Sequence, residues 1–179
     1  MTEAAKVYGN ALYDLTVSEG LAEATLEELR ALDTAFSREP AFLTLLSTPS
    51  VSKEERGQVL DRSFRGKVSP YTLNFLKLLT ERDKIREFSG CCKAFTARYY
   101  ADNGILPVRA VTAAPMSPAL RERLEQKLRS VTGKRVEMTY LVDPACLGGV
   151  RLDMDGEQLD GTVRRRLDDI RSQLKNTVL

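Results

Sequence analysis

Histidine and tryptophan are absent from this chain of 179 residues, and cysteine occurs only three times. Without histidine, the chain lacks Ser-His-Asp and Cys-His catalytic machinery and every metal site that needs an imidazole ligand. Three cysteines cannot form a Cys₄ zinc site, and Cys91 and Cys92 are adjacent, without the spacing that zinc ligands need. The remaining catalytic options are Asp, Glu and Lys side chains and metal sites built of carboxylates.

Long apolar runs and an excess of one charge are also missing. No run approaches the roughly 20 apolar residues of a membrane-spanning helix, and the first residues lack the pattern of a signal peptide. Lys and Arg number 27 and Asp and Glu 25, so the net charge is +2. This balance does not favour nucleic acid or anionic lipid as a partner of the whole protein. We expect an intracellular protein whose thiols are reduced.

The first hundred residues have the apolar spacing of six successive helices. Thr2 is expected to cap the first helix, and a capping box of Ser52 and Glu55 is expected to open the fourth. Ser69, followed by proline, predicts the start of the fifth helix. The sixth is expected to place one apolar stripe in the core: Ile85, Phe88, Cys92, Phe95 and Tyr99. Cys91, next to this stripe, is expected to point elsewhere.

The pattern changes near Gly104, after which β-branched residues between prolines predict a strand over 105–115. A helix is expected to follow Ser117, and further strands are expected over 136–142, 149–154 and 157–160, the last two joined by a hairpin turn. Thr162 is expected to cap a last amphipathic helix. The prediction is a mainly α protein, with a six-helix bundle over 1–104 and a small α/β domain over 105–179.

Asp153 and Asp155 offer an alternative with catalytic chemistry. They follow an apolar strand pattern, as the nucleophile and the acid/base of a magnesium-dependent phosphotransferase do. However, Asp155 with Gly156 is also a common hairpin turn, and only one amphipathic helix follows to supply further ligands. We favour the turn.

Arg164, Arg165 and Arg166 form the sharpest basic run and offer a second alternative. Such a run suits contact with nucleic acid phosphates or with an acidic protein, in which case the chain is a helical adaptor module. Asp168 and Asp169 follow at helical spacing, where they can pair with the arginines. We favour a solvated helix face.

Two apolar stripes are candidates for contact with another protein. Tyr8, Ala11 and Leu15 combine an aromatic residue with small ones, which lets another helix approach closely. For each position, packing inside the bundle is the simpler interpretation. The stripe from Val163 to Leu174 is first a core face and second a face for a partner helix.

Four segments carry motifs that occur together in one protein family. Residues 8–13 (YGNALY) are similar to an opening-helix motif, Y-A-x-A-L-[FY]. Residues 74–85 are similar to the segment N-F-[IL]-x-[LV]-L…R-x-x-x-I. Residues 142–152 and 159–167 are similar to the signature V-D-x-x-[LI]-x-G-G and D-G-S-[VL]-R-x-x-L, with Thr162 in place of the usual serine. Through these motifs, and over both predicted domains, the chain resembles the delta subunit of bacterial F-type ATP synthases, which is homologous to the mitochondrial oligomycin-sensitivity-conferring protein.

This resemblance implies a stator subunit without a catalytic site, a cofactor or a metal. It implies that the chain links the α₃β₃ catalytic head to the b subunits of the peripheral stalk, so that rotor torque drives ATP synthesis coupled to proton transport. It further implies no nucleic acid partner and a place on the cytoplasmic face of the bacterial cell membrane, with membrane association only through the complex.

The resemblance also implies two binding surfaces. The N-terminal bundle is expected to bind the N-terminal helix of an α subunit between its first and fifth helices, through eight residues: Tyr8, Ala11, Leu12, Leu15, Asn74, Leu76, Leu78 and Leu79. The C-terminal domain is expected to bind the b subunits with help from four residues of its last helix: Val163, Leu167, Ile170 and Leu174.

Overall fold

The computed structural model of the protein describes residues 1–154, 156–165 and 167. The chain divides into two compact units, Met1–Tyr99 and Tyr100–Leu179, a few residues before the boundary expected at Gly104. In the described residues the protein is mainly helical, with a small four-stranded sheet in the second unit. The mainly α class is therefore confirmed. No helix among these residues is long and apolar enough to cross a membrane.

Six α-helices follow one another between residues 3 and 102, all of it described: α1 (Glu3–Ser18), α2 (Ala22–Arg38), α3 (Pro40–Ser47), α4 (Lys53–Phe64), α5 (Pro70–Glu81) and α6 (Phe88–Asp102). Local capping chemistry sets several of their starts. The Thr2 hydroxyl accepts a hydrogen bond from the Ala5 amide at 3.2 Å, and Ser52 and Glu55 form the expected capping box. These predicted starts are confirmed.

One apolar core holds the first unit together. Leu29, Leu46, Leu76 and Phe95 are fully or almost fully buried in it. An aromatic cluster extends this core around Phe36, whose ring centroid lies 5.0 Å from that of Phe88, 5.7 Å from that of Phe42 and 6.0 Å from that of Phe64. The pairs with Phe88 and Phe64 are edge-to-face and the pair with Phe42 is stacked, and such aromatic pairs add stability beyond the area that they bury.

The sixth helix differs from its prediction in two ways. It begins at Phe88, and Ile85 lies in a preceding 3₁₀ turn over Ile85–Glu87. Cys91 and Cys92 are both buried, so the expectation that Cys91 points away from the core is wrong. The reason is that α6 is covered on two faces, one of which packs against α1 at Gly9. Burial raises the pKa of the Cys91 thiol to about 11 and that of Cys92 further still, so neither is a reactive thiolate.

A sheet with one covering helix forms the described part of the second unit: β1 (Ile105–Thr112), α7 (Pro118–Thr132), β2 (Arg135–Val142), β3 (Val150–Met154) and β4 (Glu157–Asp160). The strand order is β2-β1-β3-β4, with β1 and β2 parallel and the other neighbours antiparallel. The α7 crossover joins the two parallel strands. Leu128 of this helix packs against Leu106, Val108 and Val136 of the sheet.

Two glycines before β3 allow a close backbone approach. Gly149 has φ +79°, and a Cβ atom added there would overlap the Gly161 carbonyl oxygen. A Cβ at Gly148 would lie 3.3 Å from the Val163 side chain. Gly149 therefore lets two backbone segments pack closely, and Gly148 leaves room for the Val163 side chain.

Candidate functional site

The first helix presents two faces with different surroundings. Its buried face consists of five residues that pack within the bundle: Ala5, Gly9, Leu12, Tyr13 and Thr16. The adjoining face carries Tyr8, Ala11 and Leu15, of which Ala11 and Leu15 are exposed, Leu15 by 45%. Packing inside the bundle, the simpler interpretation of this stripe, is therefore wrong for Ala11 and Leu15.

Small residues hold α1 close to α6. A Cβ atom added at Gly9 would lie 2.5 Å from the carbonyl oxygen of Cys91 and 2.8 Å from the Ala94 Cβ. One added at Gly90 would lie 2.8 Å from the Ala5 Cβ. Contacts this short show that the two helices approach each other through glycine. The crossing fixes the position of α1 and, with it, of the exposed stripe.

The fifth helix is fixed at its start by a carboxylate from α2. Glu28 accepts hydrogen bonds from the Ser69 amide at 2.7 Å, the Ser69 hydroxyl at 2.9 Å and the Thr72 hydroxyl at 2.5 Å. Ser69 is also the predicted cap of α5, and its hydroxyl accepts from the Thr72 amide at 3.2 Å. Charge-assisted bonds to a helix N-terminus are among the stronger ones in proteins, so this clamp holds the N-terminal end of α5 in place.

A groove lies between α1 and α5, with a volume of about 580 Å³. Its lining is mostly apolar and comes from both helices: Tyr8, Ala11, Leu12, Leu15, Tyr71, Asn74, Phe75, Lys77, Leu78 and Glu81. Six of the eight residues expected at this surface are among them. Leu78 is 39% exposed, although it is a large apolar side chain.

Leu76 and Leu79 do not line the groove, and their assignment to this surface is corrected. Both are 0% exposed and belong to the core of the first unit. On a helix, residues three or four apart share a face, so Asn74 shares one with Leu78. Leu76 is two residues from each of them and points to the opposite side.

Four lining residues were not among the predicted ones: Tyr71, Phe75, Lys77 and Glu81. The sequence carries a signal for Tyr71 and Glu81, because positions 71, 74, 78 and 81 recur at helical spacing along one face of α5.

Two of the polar lining residues already have partners. The Lys77 ammonium lies 2.7 Å from the Asp61 carboxylate, and this hydrogen bond lowers the pKa of Asp61. The hydrogen bond and charge of Glu19, which follows α1, raise the pKa of the Tyr71 phenol. The end of α1 therefore lies beside the start of α5.

The four residues predicted to bind the b subunits are only partly described. Val163 and Leu167 are exposed by 42% and 52%. Ile170 and Leu174 lie outside the described residues. The Val163 amide donates a hydrogen bond to the Gly148 carbonyl at 3.0 Å. Leu147, which sequence analysis did not select, is 66% exposed just before this contact and has a left-handed backbone, φ +61°.

Of the carboxylate alternative, only Asp153 lies among the described residues, and it takes part in ion pairs. The Asp153 carboxylate pairs with Arg109 of the neighbouring strand β1 at 3.2 Å and with Arg151 of its own strand β3 at 3.5 Å. Asp155 lies outside the described residues, and Gly156 lies in the turn between β3 and β4, with φ +86°. Among the described residues, no cluster of three or more His, Cys, Asp or Glu side chains is arranged to hold a metal ion.

The basic run is described only in part. Arg164 and Arg165 are exposed, while Arg166 and its expected partners Asp168 and Asp169 lie outside the described residues. Hydrogen bonds from Thr162 lower the pKa of Asp160, and the nearby charges of Arg151 and Arg165 lower it further. The run therefore has an acidic residue beside it within the described sequence.

Comparison with known proteins gives a consistent result over nearly the whole length. The family model described as ATP synthase delta (OSCP) subunit matches residues 4–174. The ATP synthase subunit delta of Clostridioides difficile is 31% identical over 172 residues, which are 96% of this chain and 95% of that protein. The subunit delta of Propionigenium modestum, named as sodium ion specific, is 28% identical, with 91% of this chain and 93% of that protein covered.

A solved structure has the same fold. A chain in the cryo-EM structure of the Toxoplasma gondii mitochondrial ATP synthase hexamer matches with a TM-score of 0.77 over 97% of this chain and 98% of that chain. The sequences are 22% identical, so the likeness is one of fold alone.

Proposed function

Because the chain belongs to the ATP synthase delta (OSCP) subunit family, we propose that it is a stator link of an F-type ATP synthase. It joins the α₃β₃ catalytic head to the b subunits of the peripheral stalk, so that rotor torque drives ATP synthesis coupled to proton transport. The family is one of structural and not catalytic subunits, so the chain is not an enzyme. It is held at the cytoplasmic face of the bacterial cell membrane through the complex alone.

The open groove between α1 and α5 is the observation that carries this proposal. Leu15 and Leu78 remain exposed on its two walls, where an apolar partner can cover them. The exposed small residue Ala11 leaves room between the walls. An amphipathic helix fits such a groove by placing its apolar stripe between the walls. We assign the N-terminal helix of an α subunit to this place.

A stator link needs rigid surfaces more than it needs chemistry. The rotor turns the catalytic head unless the head is fixed to the stalk. A flexible link would let the head rotate with the rotor before it resisted the torque. Both groove walls are fixed to the bundle, α1 by its close contact with α6 and α5 by the Glu28 clamp. Such rigidity also limits the conformational entropy that binding would otherwise cost.

The second unit supplies the contact with the b subunits. Val163 and Leu167 are exposed apolar residues of the described sequence, and Leu147 extends this set. Apolar side chains exposed at the start of one helix are suited to packing against the end of a helical stalk. Ile170 and Leu174 belong to the same sequence stripe.

The groove assignment is tested with a synthetic peptide of the first 25 or so residues of the cognate α subunit. Isothermal titration calorimetry is expected to show saturable one-to-one binding to the full chain. The substitution Ala11→Trp puts an indole into the groove, so it is expected to weaken binding at least tenfold. A matched control is Ala31→Trp, because Ala31 is an exposed alanine of α2 that does not line the groove.

Circular dichroism must show that both variants keep the helix content of the unmodified protein. The groove assignment fails if the unmodified protein gives no saturable binding. It also fails if Ala11→Trp and Ala31→Trp bind the peptide equally well.

A further inference from the structure

Polar side chains in the α1–α5 groove differ in whether their hydrogen-bonding capacity is filled. Lys77 is held by Asp61, and Tyr71 is hydrogen-bonded to Glu19. Glu81 is the last residue of α5, so it lies at the end of that wall. Asn74 lies within the wall, and its side chain makes no hydrogen bond to any other described residue.

The position of Asn74 places its amide inside the groove. With a rise of about 1.5 Å per residue, Asn74 is about 4.5 Å along the helix from Tyr71 and about 6 Å from Leu78. It shares its face of α5 with both of them. The amide is exposed to water when the groove is empty. A helix that covers Leu15 and Leu78 also covers this amide and removes that water.

A covered amide without a partner weakens binding. It carries two donors and one acceptor, and it loses its bonds to water when the groove is filled. The loss of one such bond to water corresponds to roughly a tenfold change in affinity. An occupant that supplies a hydrogen-bonding group at this point therefore binds more tightly than one that presents only apolar atoms.

The form of the occupant determines which group can supply that bond. Backbone amides and carbonyls in the middle of an α-helix are already bonded to each other. A helical occupant can therefore satisfy Asn74 only with a side chain. An extended peptide, in contrast, could offer its backbone whatever its sequence.

We infer that Asn74 is a specificity-determining residue, which selects a helix that carries a hydrogen-bonding side chain within its apolar stripe and sets the register of that helix in the groove. This inference rests on the proposed function, in which the groove holds the N-terminal helix of an α subunit. The partner is thus an amphipathic helix with one polar position, of the Ser, Thr, Asn or Gln type, facing Asn74.

A double-mutant cycle tests the inference. Each polar residue of the α-subunit peptide is replaced in turn by leucine, and each peptide is titrated against the unmodified chain and against Asn74→Leu. At one peptide position, the leucine peptide is expected to bind the unmodified chain about tenfold more weakly. On the Asn74→Leu chain, the affinity of the same peptide is expected to be less than twofold below that of the natural peptide, because no amide is left unpaired.

Asn10→Leu is the matched control, since Asn10 is an amide on α1 that does not line the groove. It is expected to show no coupling to any peptide position. The inference is overturned if no peptide position is coupled to Asn74. In that case, the change in affinity for the double substitution equals the product of the two single changes, within twofold, at every polar position. No saturable binding of the natural peptide to the unmodified chain would instead refute the proposed function, so the two failures are distinguishable.

Discussion

Leu76 and Leu78 are two residues apart on α5, yet the structure gives them opposite roles. Leu76 is 0% exposed in the core, while Leu78 is 39% exposed on the groove wall. Replacing each in turn by alanine separates stability from binding. Leu76→Ala is expected to destabilise the protein without touching the groove surface. Leu78→Ala is expected to weaken the binding of the α-subunit peptide with little effect on the stability of the protein.

The magnitudes follow from burial. Truncating a fully buried leucine costs about 2–5 kcal/mol, because it removes apolar burial and leaves a cavity. Leu78 keeps part of its surface in water, so its truncation is expected to cost about 1 kcal/mol or less. For a urea m-value of about 2 kcal/mol/M, the unfolding midpoint shifts by about 1–2.5 M for Leu76→Ala and by about 0.5 M or less for Leu78→Ala.

Urea unfolding followed by circular dichroism at 222 nm measures the first effect, since most of the described helix lies in the first unit. Peptide titration in the absence of urea measures the second. The assignment of faces on α5 is refuted if the two variants show equal midpoint shifts. It is also refuted if folded Leu76→Ala loses as much peptide affinity as Leu78→Ala does.

Two further predictions concern helix contact and pH. Gly9→Ala is expected to lower the free energy of unfolding, because the added Cβ meets the Cys91 carbonyl. Gly57→Ala has open space around it and is expected to raise the free energy of unfolding by about 0.5–1 kcal/mol, because alanine favours the helix. Urea unfolding midpoints of the two variants that moved in the same direction would contradict this prediction. Hydrogen bonds from Arg56, at 3.0 Å, and from Lys53 lower the pKa of Asp83 in the folded protein. The ionised carboxylate therefore stabilises the fold at any pH above the ordinary pKa of about 4. This stabilisation is lost as the pH falls through the lower pKa of the folded state. Asp83→Asn is expected to unfold more easily than the unmodified protein at pH 7 but equally at pH 2, and a difference that stays constant with pH would argue against the pair.

Local features of the sequence predicted the elements well. Ser52 with Glu55 and Ser69 with the following proline mark helix starts, because each cap involves residues only a few positions apart. The prolines and β-branched residues after Gly104 likewise marked β1. Such signals need no knowledge of the tertiary structure.

The candidate groove was predictable only in part. Tyr8 and Ala11 were marked by an apolar stripe of the first helix, and Asn74 came from the family resemblance. Leu76 and Leu79 were included because they belong to the same segment as Asn74, although they lie on another face. Sorting that segment by helical position would have excluded both.

Contacts between distant parts of the chain could not be predicted. Glu28 clamps α5 from 41 residues away, and Gly9 is needed because of the carbonyl of Cys91. Neither partner is marked by any local pattern, because the contact depends on how two helices pack.

Simultaneous binding to head and stalk is the property that makes a subunit a stator link. Purified α₃β₃ heads and the soluble part of the cognate b subunits should be mixed with and without this chain and separated by size-exclusion chromatography. We expect head, chain and b subunits to elute together when the chain is present, and head and b subunits to elute apart when it is absent or carries Ala11→Trp. Head and b subunits that bind the chain only in competition with each other, or that join equally well without it, would contradict the proposed function.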